Sequence, residues 1–226
     1  MSPGGALPAL DERLMAAARC FRNGCVGADI GADHGRLSCY LLARNICSHM
    51  IVSDISAKAL VKAKTLLERH GLASRATFMV ADGFEAIANP VGTVAVMGMG
   101  GAAISGMLAR ANRLGTANLV LSAHTGQPAL RKALCDAGYI LSGEQVVRSA
   151  GRFYTVMDAR RGAADYSPRQ LYIDPGLWAA TAAELTAYLQ WRLGVTATER
   201  NQQTVQHLVW LEEEIQRVQS NCPDHL

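Results

Sequence analysis

The sequence predicts an α/β fold with a seven-stranded, mainly parallel sheet that closes with an antiparallel hairpin and is followed by a C-terminal helical hairpin. Three observations predict this fold. Short apolar strands alternate with helical segments, the last two strands are joined only by a short turn, and the chain turns helical after about residue 170. Repeated β-α alternation requires a parallel sheet with helices on both faces, because the crossovers are right-handed.

The first half of the chain supplies three helices and two strands in strict alternation. Helices are predicted at residues 11–21, around Leu37 and Leu41, and at residues 57–70, with strands at residues 26–30 and 49–53 between them. The third helix has apolar residues at Leu60, Ala63 and Leu67 opposite a polar stripe, which is the period of an amphipathic helix.

The second half completes the sheet. Strands are predicted at residues 76–80, 93–97, 118–121, 139–148 and 153–159. The last two are joined only by residues 149–151 (S-A-G), and so short a link demands an antiparallel pair. A parallel sheet that ends in such a hairpin is the arrangement of class I methyltransferases, whereas dinucleotide dehydrogenases usually stay parallel.

Helical spacing dominates the remainder of the chain. Apolar positions repeat at three and four residues in two stripes, Trp178, Thr181, Leu185 and Tyr188, then Leu208, Leu211, Ile215 and Val218. Gly194 interrupts them, and residues 196–199 (T-A-T-E) resemble a capping box that starts a new helix. We therefore predict two units, residues 1–160 and residues 161–226, the second a helical hairpin whose stripes pack together or complete a substrate surface.

Composition indicates a cytoplasmic globular protein. The 226 residues are 50% hydrophobic and 18% charged, and the first ten lack the basic flank and apolar core of a signal peptide. The uncharged run between Glu85 and Arg110 is broken by Pro90 and several glycines, which argues against a membrane span. The six cysteines form no C-x-x-C pair, so free thiols are expected.

Charge is unevenly distributed along the chain. Up to Ala159 there are 16 Lys or Arg against 11 Asp or Glu, and the remainder has 6 against 8. A basic catalytic part suits a polyanionic partner, with ordinary surface charge as the alternative. The side chains expected to contact phosphates are Lys58, Lys62, Arg131, Lys132, Arg148 and Arg152.

Residues 28–35 (A-D-I-G-A-D-H-G) carry the strongest motif, since they follow the first strand and open a helix. Gly31 and Gly35 permit a sharp turn and a close approach to a ligand. The spacing is not G-x-G-x-x-G, so a pyrophosphate cradle is poorly supported. S-adenosylmethionine (SAM) has no phosphate, and a carboxylate such as Asp29 suits its amino group.

Two more acids follow the next strands. Asp54 closes the second strand and is placed to accept hydrogen bonds from ribose hydroxyls, while Asp82, followed by Gly83, is placed to bind an adenine amino group. Each acid alone is equally explained by a cap or a turn. Together, Asp29, Asp54 and Asp82 fall where open α/β sheets bind ligands, at the carboxyl ends of the strands.

Residues 96–103 (V-M-G-M-G-G-A-A) match G-x-G-x-x-A through Gly98, Gly100 and Ala103, which supports an oxidoreductase that binds a nicotinamide or flavin as an alternative. The following strand, however, ends in residues 122–124 (S-A-H), with no acid to hold a ribose. We interpret the segment as backbone that lines the methyl-acceptor side, opposite the sulfonium.

The motifs in residues 28–34, Asp54, residues 82–85 (D-G-F-E) and residues 98–101 (G-M-G-G), with Tyr139 and residues 151–154 (G-R-F-Y), resemble the TrmK-type bacterial tRNA (adenine(22)-N(1))-methyltransferases. The likeness runs from about Leu14 to Asp158. It implies a Rossmann-like catalytic domain, SAM as methyl donor and a helical hairpin that helps to hold tRNA. Residues 122–124 depart from the Gln-Pro-Asn-like segment of the family, and the helical hairpin is short for it.

Site residues follow from the motifs and the resemblance together. Cofactor binding is expected from Asp29, Gly31, Asp33, His34, Gly35, Asp54, Ile55, Asp82, Gly83 and Gly98, and catalysis from Asp33, Gly100 and Tyr154. N1 of adenine already offers a lone pair, so catalysis is mainly positioning plus stabilisation of the growing cation. Asp33 is the candidate for that stabilisation, with a purely cofactor-binding role as the alternative, and Tyr154 or Phe153 could stack on a flipped adenine.

Other functions remain open at this point. They are methylation of a small metabolite or another base, an RNA-binding protein with SAM as a structural ligand, and the oxidoreductase. No metal is expected, because His34, His49, His70 and His124 lie on separate elements. We expect a monomer or a weak homodimer that binds tRNA and no membrane.

Overall fold

The computed structural model describes residues 6–110, 114–199 and 202–221. Within these ranges eight strands form one sheet, in the order β3-β2-β1-β4-β5-β7-β6-β8. The strands are β1 (Cys25–Ile30), β2 (Cys47–Asp54), β3 (Ala76–Val80), β4 (Thr93–Met99), β5 (Asn118–Ala123), β6 (Tyr139–Ser149), β7 (Arg152–Arg161) and β8 (Leu177–Trp178).

The predicted mixture of parallel and antiparallel strands is confirmed. Strands β1 to β5 pair in parallel, and β7 runs antiparallel to both β5 and β6. The predicted number of seven is one too low, because β8 adds a parallel pairing at the outer edge of β6. Two residues are too few to show strand alternation in a sequence.

Eight α-helices accompany the strands in the described residues. They are α1 (Glu12–Arg19), α2 (Arg36–Ala43), α3 (Ala57–Arg69), α4 (Gly101–Ala109), α5 (Gln127–Asp136), α6 (Pro168–Tyr172), α7 (Ala182–Ala197) and α8 (Thr204–Ser220). Side chains cap several of them, as at Asp11, whose carboxylate accepts a hydrogen bond from the Leu14 N–H at 2.8 Å. The predicted buried stripe of α3, Leu60, Ala63 and Leu67, is confirmed.

Helices cover both faces of the sheet, as the right-handed crossovers require. On one face, α1, α2 and α3 pack against the sheet through residues such as Leu41 and Leu67, which share a cluster with Val52 of β2. On the other, Ile104 of α4 and Leu130 of α5 share a cluster with Ile51. Neighbouring residues of β2 thus face opposite sides, and the sheet is buried between two helical layers.

The C-terminal helices differ in detail from the prediction. Trp178 lies in β8 and Thr181 caps α7, so the predicted first stripe becomes helical only after Thr181. The predicted capping box at residues 196–199 is wrong, because α7 continues through Gly194 to Ala197 and α8 begins at Thr204. A single exposed glycine weakens a helix without ending it, and the packing of α7 against α8 outweighs that local cost.

The hairpin of β6 and β7 projects beyond the carboxyl edge of the sheet. Strand β7 pairs with β5 only from Leu119 to Leu121, but it pairs with β6 along its whole length. Near the tip of the hairpin, side chains on its two faces pack against different helices. Tyr154 packs on the side of α1, while Phe153 packs with Tyr188 and Trp191 of α7.

A buried ion pair joins the sheet to the C-terminal helices. The guanidinium of Arg131 in α5 donates to both carboxylate oxygens of Glu144 in β6, at 2.8 and 3.0 Å, and to the carbonyl oxygens of Leu171 and Tyr172 at 2.6 and 3.1 Å. Both charged side chains are fully buried. The prediction that Arg131 contacts phosphates is therefore wrong, because the sequence does not reveal that its charge is neutralised inside the core.

In the described part of the chain, no helix is both long enough and apolar enough to cross a membrane, and no group of His, Cys, Asp and Glu side chains is arranged to hold a metal ion. Five of the six cysteines are described and all five are free thiols, while Cys222 lies outside the described residues.

Candidate functional site

A cavity of about 1300 Å³ opens at the carboxyl edge of the sheet, beneath α1 and the segment before it. Arg36 donates a hydrogen bond to the carbonyl oxygen of Ala9, which ties that segment over the cavity. The predicted residues that line it are Asp29, Gly31, Asp33, His34, Asp54, Ile55, Asp82, Gly83, Gly98 and Tyr154. Gly35 and Gly100 do not line it.

Asp29 is the buried carboxylate of the cavity, with 4% of its surface exposed. It lies near the end of β1, and the hydroxyl of Ser38 in α2 donates a hydrogen bond to it at 2.8 Å. Burial raises the pKa of Asp29 to about 6, against the opposing effect of the Ser38 hydrogen bonds, and the negative charge of Asp54 adds to the rise. The group is therefore ionised at neutral pH but held at a desolvation cost that a bound cation would offset.

The loop after β1 is fixed to the end of β2. Gly31 has φ of +72°, and its N–H and that of Ala32 both donate to the carbonyl oxygen of Ser53, at 2.8 and 3.0 Å. Asp33 also has a positive φ, +46°, and its N–H donates to Oδ2 of Asp54 at 3.0 Å. The left-handed turns bend the backbone back over β2, which is the role predicted for Gly31.

Asp54 is held by two backbone groups. Its Oδ2 accepts from Asp33, and its Oδ1 accepts from the N–H of Ser56 at 2.8 Å. Each carboxylate oxygen keeps further lone pairs for a ligand, so the side chain is oriented before any ligand arrives. Next to it, Ile55 is 76% exposed and presents an apolar surface at the cavity.

His34 connects a cation and an anion across the cavity wall. Its Nδ1 contacts Oδ2 of Asp33 at 2.5 Å, and its Nε2 lies 3.3 Å from Nζ of Lys62. An ammonium group can only donate, so Nε2 accepts and Nδ1 carries the proton that bonds Asp33. Asp33 thus contacts Asp54 and His34, on the side of the cavity formed by β1 and β2.

Asp82 follows β3 and forms an ion pair with Arg110, the residue directly after α4, at 3.5 Å, with both side chains more than half exposed. Gly83 has φ of +54°, and a Cβ there would lie 2.6 Å from the sulfur of Met107. The close packing of α4 on this turn explains the glycine. It also places the Asp82 carboxylate at the cavity rather than in the core.

The glycines of the segment after β4 have different roles. Gly98 sits at an irregularity of β4 with φ of +78° and lines the cavity. Gly100 caps α4 outside the cavity lining, and a Cβ there would meet only the Thr125 hydroxyl at 3.7 Å. Gly101, which the motif did not single out, is the crowded position, because a Cβ would lie 2.5 Å from the Thr125 carbonyl oxygen.

Gly35 has a packing role. It caps α2 with φ of +65°, and a Cβ there would lie 2.8 Å from Cβ of Ala63. The glycine lets α2 and α3 approach each other closely. Its contribution to the cavity is therefore indirect, through the position of α2.

Two residues of the cavity were missed as site residues. Arg13 of α1 and His124, directly after β5, both line it beside Tyr154. No spacing in the sequence signals Arg13, which looks like an ordinary polar residue of an amphipathic helix. The sequence showed His124 as the position at which an acid was absent and as part of residues 122–124, which depart from the family's segment, but not as a site residue. Phe153, the other aromatic residue considered for stacking, packs under α7 and does not line the cavity.

The residues present fit SAM. The cofactor carries a cationic amino group and a sulfonium, a ribose with two hydroxyls, and an adenine with an amino group. Three carboxylates, Asp29, Asp54 and Asp82, lie along one cavity in the order of the first three strands. The backbone of three glycines forms part of the cavity surface, at Gly31, Gly83 and Gly98. A dinucleotide would instead need a phosphate cradle, which this acidic edge does not offer.

Comparisons with known proteins agree with this chemistry. Residues 10–157 match the family described as methyltransferase domain. A tRNA (adenine(22)-N(1))-methyltransferase from Bacillus subtilis is 31% identical over 171 residues, which are 74% of this chain and 72% of that protein.

Solved structures share the fold. The crystal structure of the B. subtilis m1A22 tRNA methyltransferase TrmK is 25% identical with a TM-score of 0.74, and the match covers 94% of this chain and 98% of that one. A Streptococcus pneumoniae protein solved with SAM superposes with a TM-score of 0.81 at 22% identity, covering 92% of this chain and all of the other.

Proposed function

The chain belongs to the methyltransferase-domain family and, within it, to the tRNA (adenine(22)-N(1))-methyltransferases, and from that premise we propose that it methylates N1 of an adenine in tRNA with SAM as the donor. The observation that carries the proposal is the meeting of Asp29, Asp54 and Asp82 in one cavity at the carboxyl edge of the sheet. Ligands of open α/β sheets bind at this edge.

The cofactor half of the cavity is the part formed by β1, β2 and β3. There, Asp54 would accept hydrogen bonds from the ribose, Asp82 would bind the adenine amino group, and Asp29 would face the cationic end of the cofactor. Ile55 would pack on the adenine ring. When bound, SAM supplies a methyl group on a positively charged sulfur. The buried negative charge of Asp29 favours that charge pattern over a phosphate-bearing cofactor.

The acceptor half is the part around Gly98. Transfer to N1 of adenine needs no prior deprotonation, so the residues there have to hold the base in line and exclude water. The contacts of Asp33 with Asp54 and His34 support a place in the cofactor half, although the residue was also a candidate for catalysis. Gly100 supports the acceptor half from outside, by capping α4.

The substrate tRNA would approach the edge from which the β6–β7 hairpin projects. Lys58, Arg148 and Arg152 are exposed and remain candidates for phosphate contacts. Lys62 is engaged with His34, and Lys132 is paired with Asp136 at 2.9 Å. Because phosphate contacts release counterions, the affinity for tRNA should fall steeply with added salt. An affinity that does not depend on salt would contradict the proposal that the substrate is a polyanion.

Transfer of a tritiated methyl group from SAM to total tRNA, followed by mapping of the labelled nucleotide, tests the function. Label at N1 of an adenine supports it. Label only in small molecules would indicate a metabolite methyltransferase, and SAM binding without transfer would indicate an RNA-binding protein. Tight binding of a nicotinamide or flavin instead of SAM would indicate the oxidoreductase.

We further propose that the protein acts in the cytoplasm, as a monomer or a weak homodimer. The five described free thiols support a reducing compartment. Sedimentation over a range of concentrations would measure the oligomeric state, and a stable tetramer would contradict it.

A further inference from the structure

Three side chains from distant parts of the sequence meet above Gly98. The guanidinium carbon of Arg13 lies 5.3 Å from the centroid of the Tyr154 ring, and the ring of His124 meets the same tyrosine edge-on with centroids 5.9 Å apart. A Cβ on Gly98 would lie 3.1 Å from a guanidinium nitrogen of Arg13 and 3.6 Å from Nε2 of His124. Both nitrogens therefore approach one point on the acceptor side of the cavity.

Arg13 is a cation without an anionic partner in the part of the chain that the structure describes. Among residues 6–110, 114–199 and 202–221, no carboxylate forms an ion pair with it, and its guanidinium lies between the Tyr154 ring and Gly98. The ring holds the guanidinium in place through a cation–π contact and leaves its N–H groups available. A fixed guanidinium without a carboxylate suits a phosphate, whose oxygens it can bind in a bidentate manner.

His124 supplies a different kind of group. Its backbone N–H is bonded to the Met99 carbonyl oxygen at 2.9 Å, which fixes the residue against β4, while its side chain is exposed to the cavity. A neutral imidazole offers one donor and one acceptor nitrogen, the combination that the edge of a nucleobase can satisfy. Its edge-on contact with Tyr154 limits the directions in which Nε2 can point.

Resting on the proposed function, we propose that Arg13, His124 and Tyr154 form the acceptor-nucleotide subsite. The guanidinium of Arg13, supported by Tyr154, binds the phosphate of the flipped nucleotide, and the imidazole of His124 forms a hydrogen bond with its base. An enzyme that modifies a base inside folded RNA has to hold both parts of the extruded nucleotide. The subsite offers one cation for the phosphate and one polar ring for the base, in contact with the same aromatic side chain.

The position of the subsite favours a nucleotide of a large RNA over a free metabolite. Tyr154 belongs to the projecting part of the β6–β7 hairpin, where Arg148 and Arg152 are exposed. A polynucleotide that follows the hairpin would carry its flanking phosphates past these arginines. The subsite is thus continuous with the basic part of the surface, as a chain of phosphates requires.

Kinetics of the full-length protein with tRNA transcripts test the proposal through Arg13→Gln, Arg13→Lys and His124→Ala. Arg13→Gln should raise KM for tRNA about tenfold, and Arg13→Lys should recover part of the loss because it retains the charge. The salt dependence of tRNA binding should become shallower by about one counterion in Arg13→Gln. His124→Ala should lower kcat, with SAM affinity measured by calorimetry unchanged in all three.

Arg44→Gln is the matched control, since Arg44 also lies over a tyrosine, Tyr40, with its guanidinium carbon 5.6 Å from the ring centroid, but outside the cavity. It should leave KM for tRNA unchanged. Loss of SAM affinity in Arg13→Gln equal to its loss of tRNA turnover would overturn the subsite, and so would an unchanged KM. If the wild-type protein binds SAM but transfers no methyl group to tRNA, the proposed function itself fails, which is a separate result.

Discussion

The backbone N–H of Asp33 donates a hydrogen bond to the Asp54 carboxylate across 3.0 Å, and this bond ties the loop after β1 to the end of β2. The two acids were singled out separately in the sequence, one in a glycine-rich loop and one at a strand end. In the folded protein they are one unit, because the carboxylate proposed to hold the ribose is oriented by the loop proposed to surround the cofactor. Removal of the Asp54 carboxylate is therefore expected to release the loop as well, whereas a side-chain substitution at Asp33 keeps the backbone donor.

Substitution of Asp54 should weaken the binding of SAM and the binding of its demethylated product equally. The proposed contact is with ribose hydroxyls, which both molecules share, so Asp54→Ala should raise both dissociation constants about tenfold or more. Isothermal titration with each ligand measures the effect. Asp136→Ala, which removes an exposed acid of α5, serves as control. A loss confined to SAM would mean that Asp54 recognises the sulfonium instead.

Substitution of Asp29 should separate stability from binding. Its folded-state pKa is about 6 and its ordinary value is 3.8, so between these values the native carboxyl keeps a proton that the unfolded chain has lost. The unfolding free energy of the wild type therefore decreases as pH rises through this window. Asp29→Asn lacks this loss, so the free energy of unfolding of the variant relative to the wild type, measured with urea, should be higher by about 3 kcal/mol above pH 6 than below pH 3.8.

The same variant should bind SAM poorly at neutral pH, because the neutral amide no longer attracts a cation. In the wild type, SAM affinity should fall as pH drops below about 6, where Asp29 takes up its proton. Calorimetry across this range is the measurement. A pH-independent affinity would show that Asp29 does not face the cationic part of the cofactor.

The role of Asp33 can be decided by Asp33→Asn, which retains a residue that tolerates a positive φ and removes the charge. Its contacts with Asp54 and His34 predict a cofactor role, so SAM affinity and turnover at subsaturating SAM should fall by the same factor. SAM affinity comes from titration and turnover from transfer to tRNA. If turnover falls while affinity is retained, Asp33 instead stabilises the cation that grows on the acceptor.

Substitution by alanine should change the free energy of unfolding in opposite directions at two glycines. Gly35→Ala should lower the free energy of unfolding by about 2–4 kcal/mol, since it forces a side chain into a positive φ and against Ala63. Gly194→Ala should raise it by about 0.5–1 kcal/mol, because Gly194 lies inside α7 with open space around it. Urea denaturation compares the two, and equal effects would contradict the packing role of Gly35.

Removal of one member of the buried ion pair should be costly. Arg131→Met leaves the Glu144 carboxylate buried without its cation and should lower the free energy of unfolding by about 3–5 kcal/mol. Lys132→Ala, which removes the neighbouring but exposed lysine, should change little. A small loss in Arg131→Met would mean that water reaches Glu144 once the guanidinium is gone.

Much of the fold was predictable, because its signals are local. Strand β1 shows as an apolar run and α3 as an amphipathic stripe, and the short link between β6 and β7 dictates their antiparallel pairing. Where the prediction is wrong, tertiary contacts outweigh a local pattern. The helix-like spacing from Trp178 to Tyr188 crosses a strand, a turn and a helix, and Gly194 lies inside α7 although glycine commonly ends helices.

The site residues also differ in whether local sequence or tertiary packing places them at the cavity. Asp29, Asp54 and Asp82 could be predicted because each lies at or next to the carboxyl end of its strand, and strand ends of a parallel sheet share one edge. Arg13 and His124 reach the cavity only through the packing of α1 against the sheet and the position of β5 beside β4. Arg131 shows the reverse error, since a residue that looks like surface charge in the sequence is fully buried.

The carbonyl oxygens that Arg131 binds in α6 limit how this protein could be shortened. Val146 of β6 and Phe153 of β7 pack with residues of α7 and α8, so the boundary predicted at residue 160 runs beside a shared core. A descendant that lost everything after Arg161 would expose this apolar surface and deprive a buried guanidinium of two acceptors. A shortened protein without α7 and α8 would therefore have to keep α6, or else replace Arg131 and Glu144 together.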